Sequence, residues 1–145
     1  MRSAECKGGV VMQARLVART RAFALAVVRL VEELPQGRTA DVIGLQLLRS
    51  GTSVGANYRA ACRARSRREF IAKMGIVEEE ADESQFWIDL LNERGLVDAR
   101  CLSSLGEEAG QIVAMVVASI RTARRAPRLT PHSALRTPHS EPRCS

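Results

Sequence analysis

Residues Ser66–Gly95, SRREFIAKMGIVEEEADESQFWIDLLNERG, contain a helix start, an apolar stripe and a helix stop in order. Ser66 and Glu69 stand in S-x-x-E spacing, the capping box that satisfies free amides at a helix N-terminus. Phe70, Met74, Val77, Ala81, Ser84, Ile88 and Leu91 then recur at steps of 4, 3, 4, 3, 4 and 3. Those steps keep one face of a helix apolar over six turns. Gly95 after Arg94 suits a left-handed C-terminal cap.

The same period extends outward on both sides. Upstream, Leu16, Thr20, Phe23, Val27, Leu30 and Leu34 form a first stripe, closed by Pro35-Gln36-Gly37. Ile43, Leu47, Ser50, Val54, Asn57 and Ala61 form a second, opened by Thr39 as cap and Asp41 as first-turn acid. A row of small residues, Gly44, Gly51 and Gly55, runs beside it. Downstream, Leu102, Leu105, Ala109, Ile112, Val116, Ser119 and Ala123 form a fourth stripe, whose helix starts at Asp98 or Ser104. Four segments of period near 3.5 with short connections specify an all-α, antiparallel, up-down-up-down four-helix bundle with left-handed supercoiling. A flexible N-terminus is expected over residues 1–9, the bundle over 10–126, and a disordered Pro-rich tail over 127–145. The tail holds four of the five prolines and a repeated Thr-Pro-His-Ser, with both histidines of the chain. Dense proline prevents helix there.

Composition agrees with this architecture and removes several classes of function. The chain has 145 residues, 46% hydrophobic but only 3% aromatic, so the core must be aliphatic. Four scattered cysteines do not make a disulfide framework, and no Cys/His cluster has zinc spacing. No metal or cofactor is expected. The longest strongly apolar run, Ile112 to Ile120, is shorter than the ~20 residues of a bilayer span, and no signal-peptide pattern leads the chain. A reduced, cytoplasmic protein is expected. The body contains no His and no phosphate-binding loop, so no catalytic residue is assigned and the protein is read as a non-enzyme. Glu78-Glu79-Glu80 with Asp82 and Glu83 lacks the Glu-x-x-His of di-iron bundles and reads as a solvated acidic face.

Charge is segregated along the chain. Of 22 basic residues 20 are Arg, and the formal net charge is +6. Arg49 to Lys73 carries seven bases and one acid; Met74 to Asp98 carries eight acids and one base. Arg59, Arg63, Arg65, Arg67 and Arg68 surround the junction of the second and third helices. Arg121, Arg124 and Arg125 close the fourth. Up-down-up-down order brings both groups to one pole. Guanidinium forks suit phosphate oxygens, so the pole is a candidate site for the backbone of RNA or DNA. The competing reading is that Arg67 and Arg68 pair with Glu78, Glu79 or Glu80 of a neighbouring helix or subunit. Only Tyr58 could stack on a base, which argues against single-strand readout.

Two further features bear on assembly. Ala22–Val28 has no polar residue and Ile112–Ile120 has only Ser119. Helices apolar on more than one side point to self-association; an alanine-rich surface is the simpler alternative. Asn57 falls on the core stripe, where an unpaired amide would cost about 1–3 kcal/mol. A structural polar contact to Ser84 or Glu83 is therefore expected, setting helix register. Gly55 is expected to permit close helix approach.

Ser53-Val54-Gly55-Ala56-Asn57-Tyr58, followed by Ser66-Arg67-Arg68-Glu69-Phe70-Ile71, resembles the bacterial four-helix-bundle family often labelled 23S rRNA-intervening sequence proteins. That family shows S-[IV]-x-A-N-[IY] on helix two and S-x-x-E-F opening helix three, and Glu83 falls where it carries an acid. The resemblance spans roughly Arg15 to Arg125. Where the family has Glu-Gly, Ala60-Ala61 stand here, so no role of that Glu transfers. The resemblance implies a ring-forming homo-oligomer, a pentamer in known relatives, without catalytic activity. A similar bundle is the accessory protein of diversity-generating retroelements, which contacts a reverse transcriptase and nucleic acid. The alternative function is an interaction scaffold or accessory subunit with no nucleic-acid contact.

Overall fold

The computed structural model describes the backbone of residues 2–127 and side chains from Gly9 onward. The tail expectation for 128–145 lies outside the described residues. Four helices follow one another: α1 (Arg2–Glu32), α2 (Arg38–Ala61), α3 (Arg67–Glu93) and α4 (Ala99–Arg125). No described residue is in a strand. α1 begins eight residues ahead of the expected start. Residues 2–9 contain no Pro, and Gly8-Gly9 lowers helix propensity without stopping the helix.

The order around the bundle is α1–α2–α3–α4, closed by a thin α1–α4 seam; α1 and α3 are diagonal, as are α2 and α4. Neighbours run antiparallel. Gly44 lies against Leu34 and Val31, Gly51 against Val27, and Gly55 against the Thr20 backbone, so the glycine row is where α2 approaches α1 closely. Gly106 and Gly110 meet Ile88 and Gln85 in the same sense on α3 and α4.

The core is aliphatic, with Phe23 and Tyr58 its buried aromatics among the described residues. Every α3 stripe position from Met74 to Leu91 is buried, as are Leu16 to Leu30 on α1. The stripes of α2 and α4 depart from the heptad near their C-termini. Val54 is followed by Tyr58 rather than Asn57, and Val116 by Ile120 rather than Ser119. The steps there become 3, 4, 4, an eleven-residue spacing that unwinds a left-handed supercoil. A straight helix drifts about 20° per heptad, so a strict 3.5 repeat loses the core after some five turns. Asn57 is consequently half-buried on the flank of α2, and its Nδ2 donates to its own Ser53 carbonyl at 2.9 Å. The expected contact to Ser84 or Glu83 does not form. Ser84 instead meets Ser50, Oγ to Oγ at 2.9 Å, and Glu83 holds Arg49.

Helix ends are fixed by local chemistry. Ser66 Oγ accepts from the Glu69 amide at 3.0 Å, while Glu69 Oε2 accepts from the Arg65 amide at 2.8 Å. The capping box therefore closes one residue further upstream than its usual reciprocal form. Gly95 adopts φ +63°; its amide donates to Asn92 and the Leu96 amide to Leu91, the double bond of a Schellman motif. α4 starts at Asp98, whose carboxylate accepts from the Arg100 amide at 2.9 Å. Thr39 is not the cap of α2. Gly37 is, without a side-chain bond: its carbonyl accepts the first helical bond, from the Asp41 amide at 2.8 Å. α4 alone among the described helices is long and apolar enough to cross a membrane, but here one of its faces packs into the core.

Candidate nucleic-acid interface

Arg67 joins the two Arg groups. It is the first residue of α3, and its guanidinium donates to the Ala126 carbonyl at 2.6 Å and the Pro127 carbonyl at 2.8 Å. The start of α3 is thereby tied to the end of α4. A cavity of about 610 Å³ beneath this junction is lined by Met12, Tyr58, Cys62, Phe70, Met115 and Ala126, among others. Elements carrying the eight arginines thus converge at one pole, as up-down-up-down order requires.

Arg59, Arg63, Arg65, Arg68, Arg121, Arg124 and Arg125 are exposed, and Arg67 is half-exposed. Among the described residues none of the eight makes an ion pair. The pairs that do form are Arg19–Glu108, Arg49–Glu80 and Arg49–Glu83. Within the chain, Arg67 and Arg68 pair with none of Glu78, Glu79 and Glu80; Arg49, two turns or more up α2, takes Glu80.

Helix electrostatics sorts these arginines. Arg59 lies in the last turn of α2, and Arg124 and Arg125 in the last turn of α4, where a cation is favoured by the macrodipole. Arg67 and Arg68 occupy the first turn of α3, where it is disfavoured. Arg67 is compensated by the carbonyls it caps. Arg68 has no such compensation: it is exposed, without an ionic partner among the described residues, at the unfavourable end of its helix.

Tyr58 is 4% exposed and cannot stack on a base. Burial, reinforced by the neighbouring Cys62, pushes its phenol well above the ordinary value, so it stays neutral. Glu83 is held below the usual carboxylate range, chiefly by its bond to Arg49 and then by the Trp87 indole N–H at 3.1 Å. Among the described residues no three His, Cys, Asp or Glu side chains group as a metal would need. Nor did the sequence signal the clamp across the α1–α4 seam. There Arg19 Nη2 donates to Glu108 at 2.9 Å and also bonds Gln111.

These features define a small antiparallel helical bundle with one cationic pole. The chain belongs to the 23S rRNA-intervening sequence protein family, whose description matches residues 12–118. It is also similar to a solved protein of unknown function from the S23 ribosomal protein family of Bacteroides thetaiotaomicron. Identity is 31%, the match covers 76% of this chain and 98% of that one, and the TM-score is 0.71. No curated protein matches the chain.

Proposed function

We propose that the protein is a non-catalytic, cytoplasmic, self-assembling bundle that binds the sugar–phosphate backbone of RNA or DNA through its Arg pole. A homopentamer is the size the resemblance implies. Arg68 is the observation that carries the reading. The bundle itself gives no reason for a cation at that position, whereas a phosphate would. The exposed arginines around it, free of internal ion pairs among the described residues, extend the same surface. Tyr58 is buried and Phe70 is half-buried against the core, so the pole offers mainly guanidinium donors for backbone oxygens. Recognition is therefore by charge and shape.

The test is a titration of purified, nuclease-treated protein against structured RNA and duplex DNA at low salt. Binding that weakens steeply with added salt supports the reading. A folded protein that binds neither leaves the scaffold role, with a protein partner at the pole.

A further inference from the structure

Apart from the capping Glu69 and the half-buried Glu78, the acids of α3 divide into two sets. Glu80 and Glu83 turn toward α2 and are taken by Arg49. Glu79, Asp82, Asp89 and Glu93 face outward, in no ion pair among the described residues. Among them sits Phe86, 54% exposed. Its ring packs edge-on against Trp87 at 4.9 Å, and Trp87 is anchored to Glu83, so Phe86 stands fixed on the surface. An exposed aromatic ringed by unpaired acids calls for a surface that is both apolar and basic.

The outward face of α1 is that surface. Leu25, 47% exposed, lies one turn from Arg21 and one turn from Arg29, with the exposed Ala18 and Ala22 beside it. Neither Arg21 nor Arg29 pairs with an acid among the described residues. At about 1.5 Å per residue, Arg21 and Arg29 are about 12 Å apart along the axis and Asp82 and Asp89 about 10 Å. Each helix therefore carries two like charges about two turns apart, with an exposed apolar residue between them. The alanines leave space beside Leu25 for a ring. Glu32 closes the α1 stripe with one opposing charge.

We infer that copies of this chain associate head to tail, the Arg21–Leu25–Arg29 face of α1 in one copy packing on the Asp82–Phe86–Asp89 face of α3 in the next. The inference rests on the self-assembly proposed above and names its two surfaces. α1 and α3 are diagonal in the bundle, so one copy cannot satisfy its own faces. An isologous contact would set arginines against arginines or acids against acids, which disfavours it. A heterologous contact repeats from copy to copy and generates a ring or an open filament.

Sedimentation velocity on the full chain tests this with two charge-reversed variants, Arg21→Glu/Arg29→Glu and Asp82→Arg/Asp89→Arg. Circular dichroism first confirms that each is helical. The wild type is expected to assemble and each variant alone to sediment as a monomer. An equimolar mixture should reassemble into alternating chains or rings of even copy number, because each variant then supplies the charge the other's face requires, and an odd ring cannot close by alternation. Combining all four substitutions in one chain should restore assembly as well. A monomeric wild type ends the self-assembly reading itself. A wild type that assembles while both variants assemble equally well leaves self-assembly standing and overturns the choice of faces. Dissociation of the α1 variant alone would mean an isologous α1 contact, which also overturns it.

Discussion

Ser50 on α2 and Ser84 on α3 meet Oγ to Oγ at 2.9 Å in the fully buried interior. Ser84 Oγ also lies 2.7 Å from the Glu80 carbonyl, and Ser50 Oγ 3.3 Å from the Leu47 carbonyl. Two hydroxyl protons serve three contacts, so either serine can bridge the helices while the other bonds its own backbone. Ser84→Ala or Ser50→Ala alone should cost about 1 kcal/mol, and the double substitution clearly less than the sum. Chemical denaturation of the four proteins of the cycle reads this directly. Strict additivity would mean that the hydroxyls are satisfied independently.

Gly51 packs directly against Val27 of α1. A Cβ there would stand 2.8 and 2.9 Å from the two methyls of Val27 and 3.1 Å from its Cβ. Val27 is completely buried and branched at Cβ, so it has no room to turn away. Gly51→Ala should therefore destabilise by about 1 kcal/mol, as overpacking outweighs the gain in helix propensity. Gly75 has nothing near its missing Cβ. Gly75→Ala should stabilise by about 0.5–1 kcal/mol. Opposite signs in the two melting shifts are the expected result.

Arg67 caps α4 from the start of α3. Arg67→Ala should fray the last turn of α4 at a cost of about 0.5–1 kcal/mol. Hydrogen exchange of the amides around Ala123–Ala126 should accelerate while those at Ile112–Val116 hold. Arg68→Ala removes a cation from the unfavourable end of α3 and should leave stability unchanged or slightly raised.

The Glu83 carboxyl is lowered in the folded chain by Arg49 and then by Trp87. Below its unfolded pKa the unfolded chain binds the proton that the folded chain refuses, so stability rises with pH across that interval. The contribution is present above about pH 4.3, the usual glutamate value, and disappears as the pH falls through the lower folded value. Thermal melts of the wild type and Glu83→Gln should therefore converge on acidification. Parallel curves would show that the Arg49 bond does not perturb Glu83.

Most of the fold was legible because four apolar stripes, a capping box and Gly95 all point the same way. The stripes misled only at the ends of α2 and α4. A strict heptad drifts off the core there, and Tyr58 and Ile120 replace Asn57 and Ser119. That drift moved Asn57 from a proposed interhelical contact to a bond with its own helix. The Arg pole followed from helix order alone. What separates Arg67 from Arg68 did not, because capping the Ala126 and Pro127 carbonyls depends on distances no spacing encodes. The Arg19–Glu108 clamp was invisible for the same reason, its partners being 89 positions apart.

The most direct test of the account is the salt dependence of nucleic-acid binding by the wild type and by Arg63→Ala/Arg65→Ala/Arg68→Ala, with the structural cap Arg67 left in place. On duplex DNA each lost phosphate contact lowers the slope of log K against log salt by about 0.9. The account predicts a slope about two to three units shallower in the variant, with helicity and assembly size unchanged. Equal slopes in the two proteins would contradict it and move the contact away from the Arg pole.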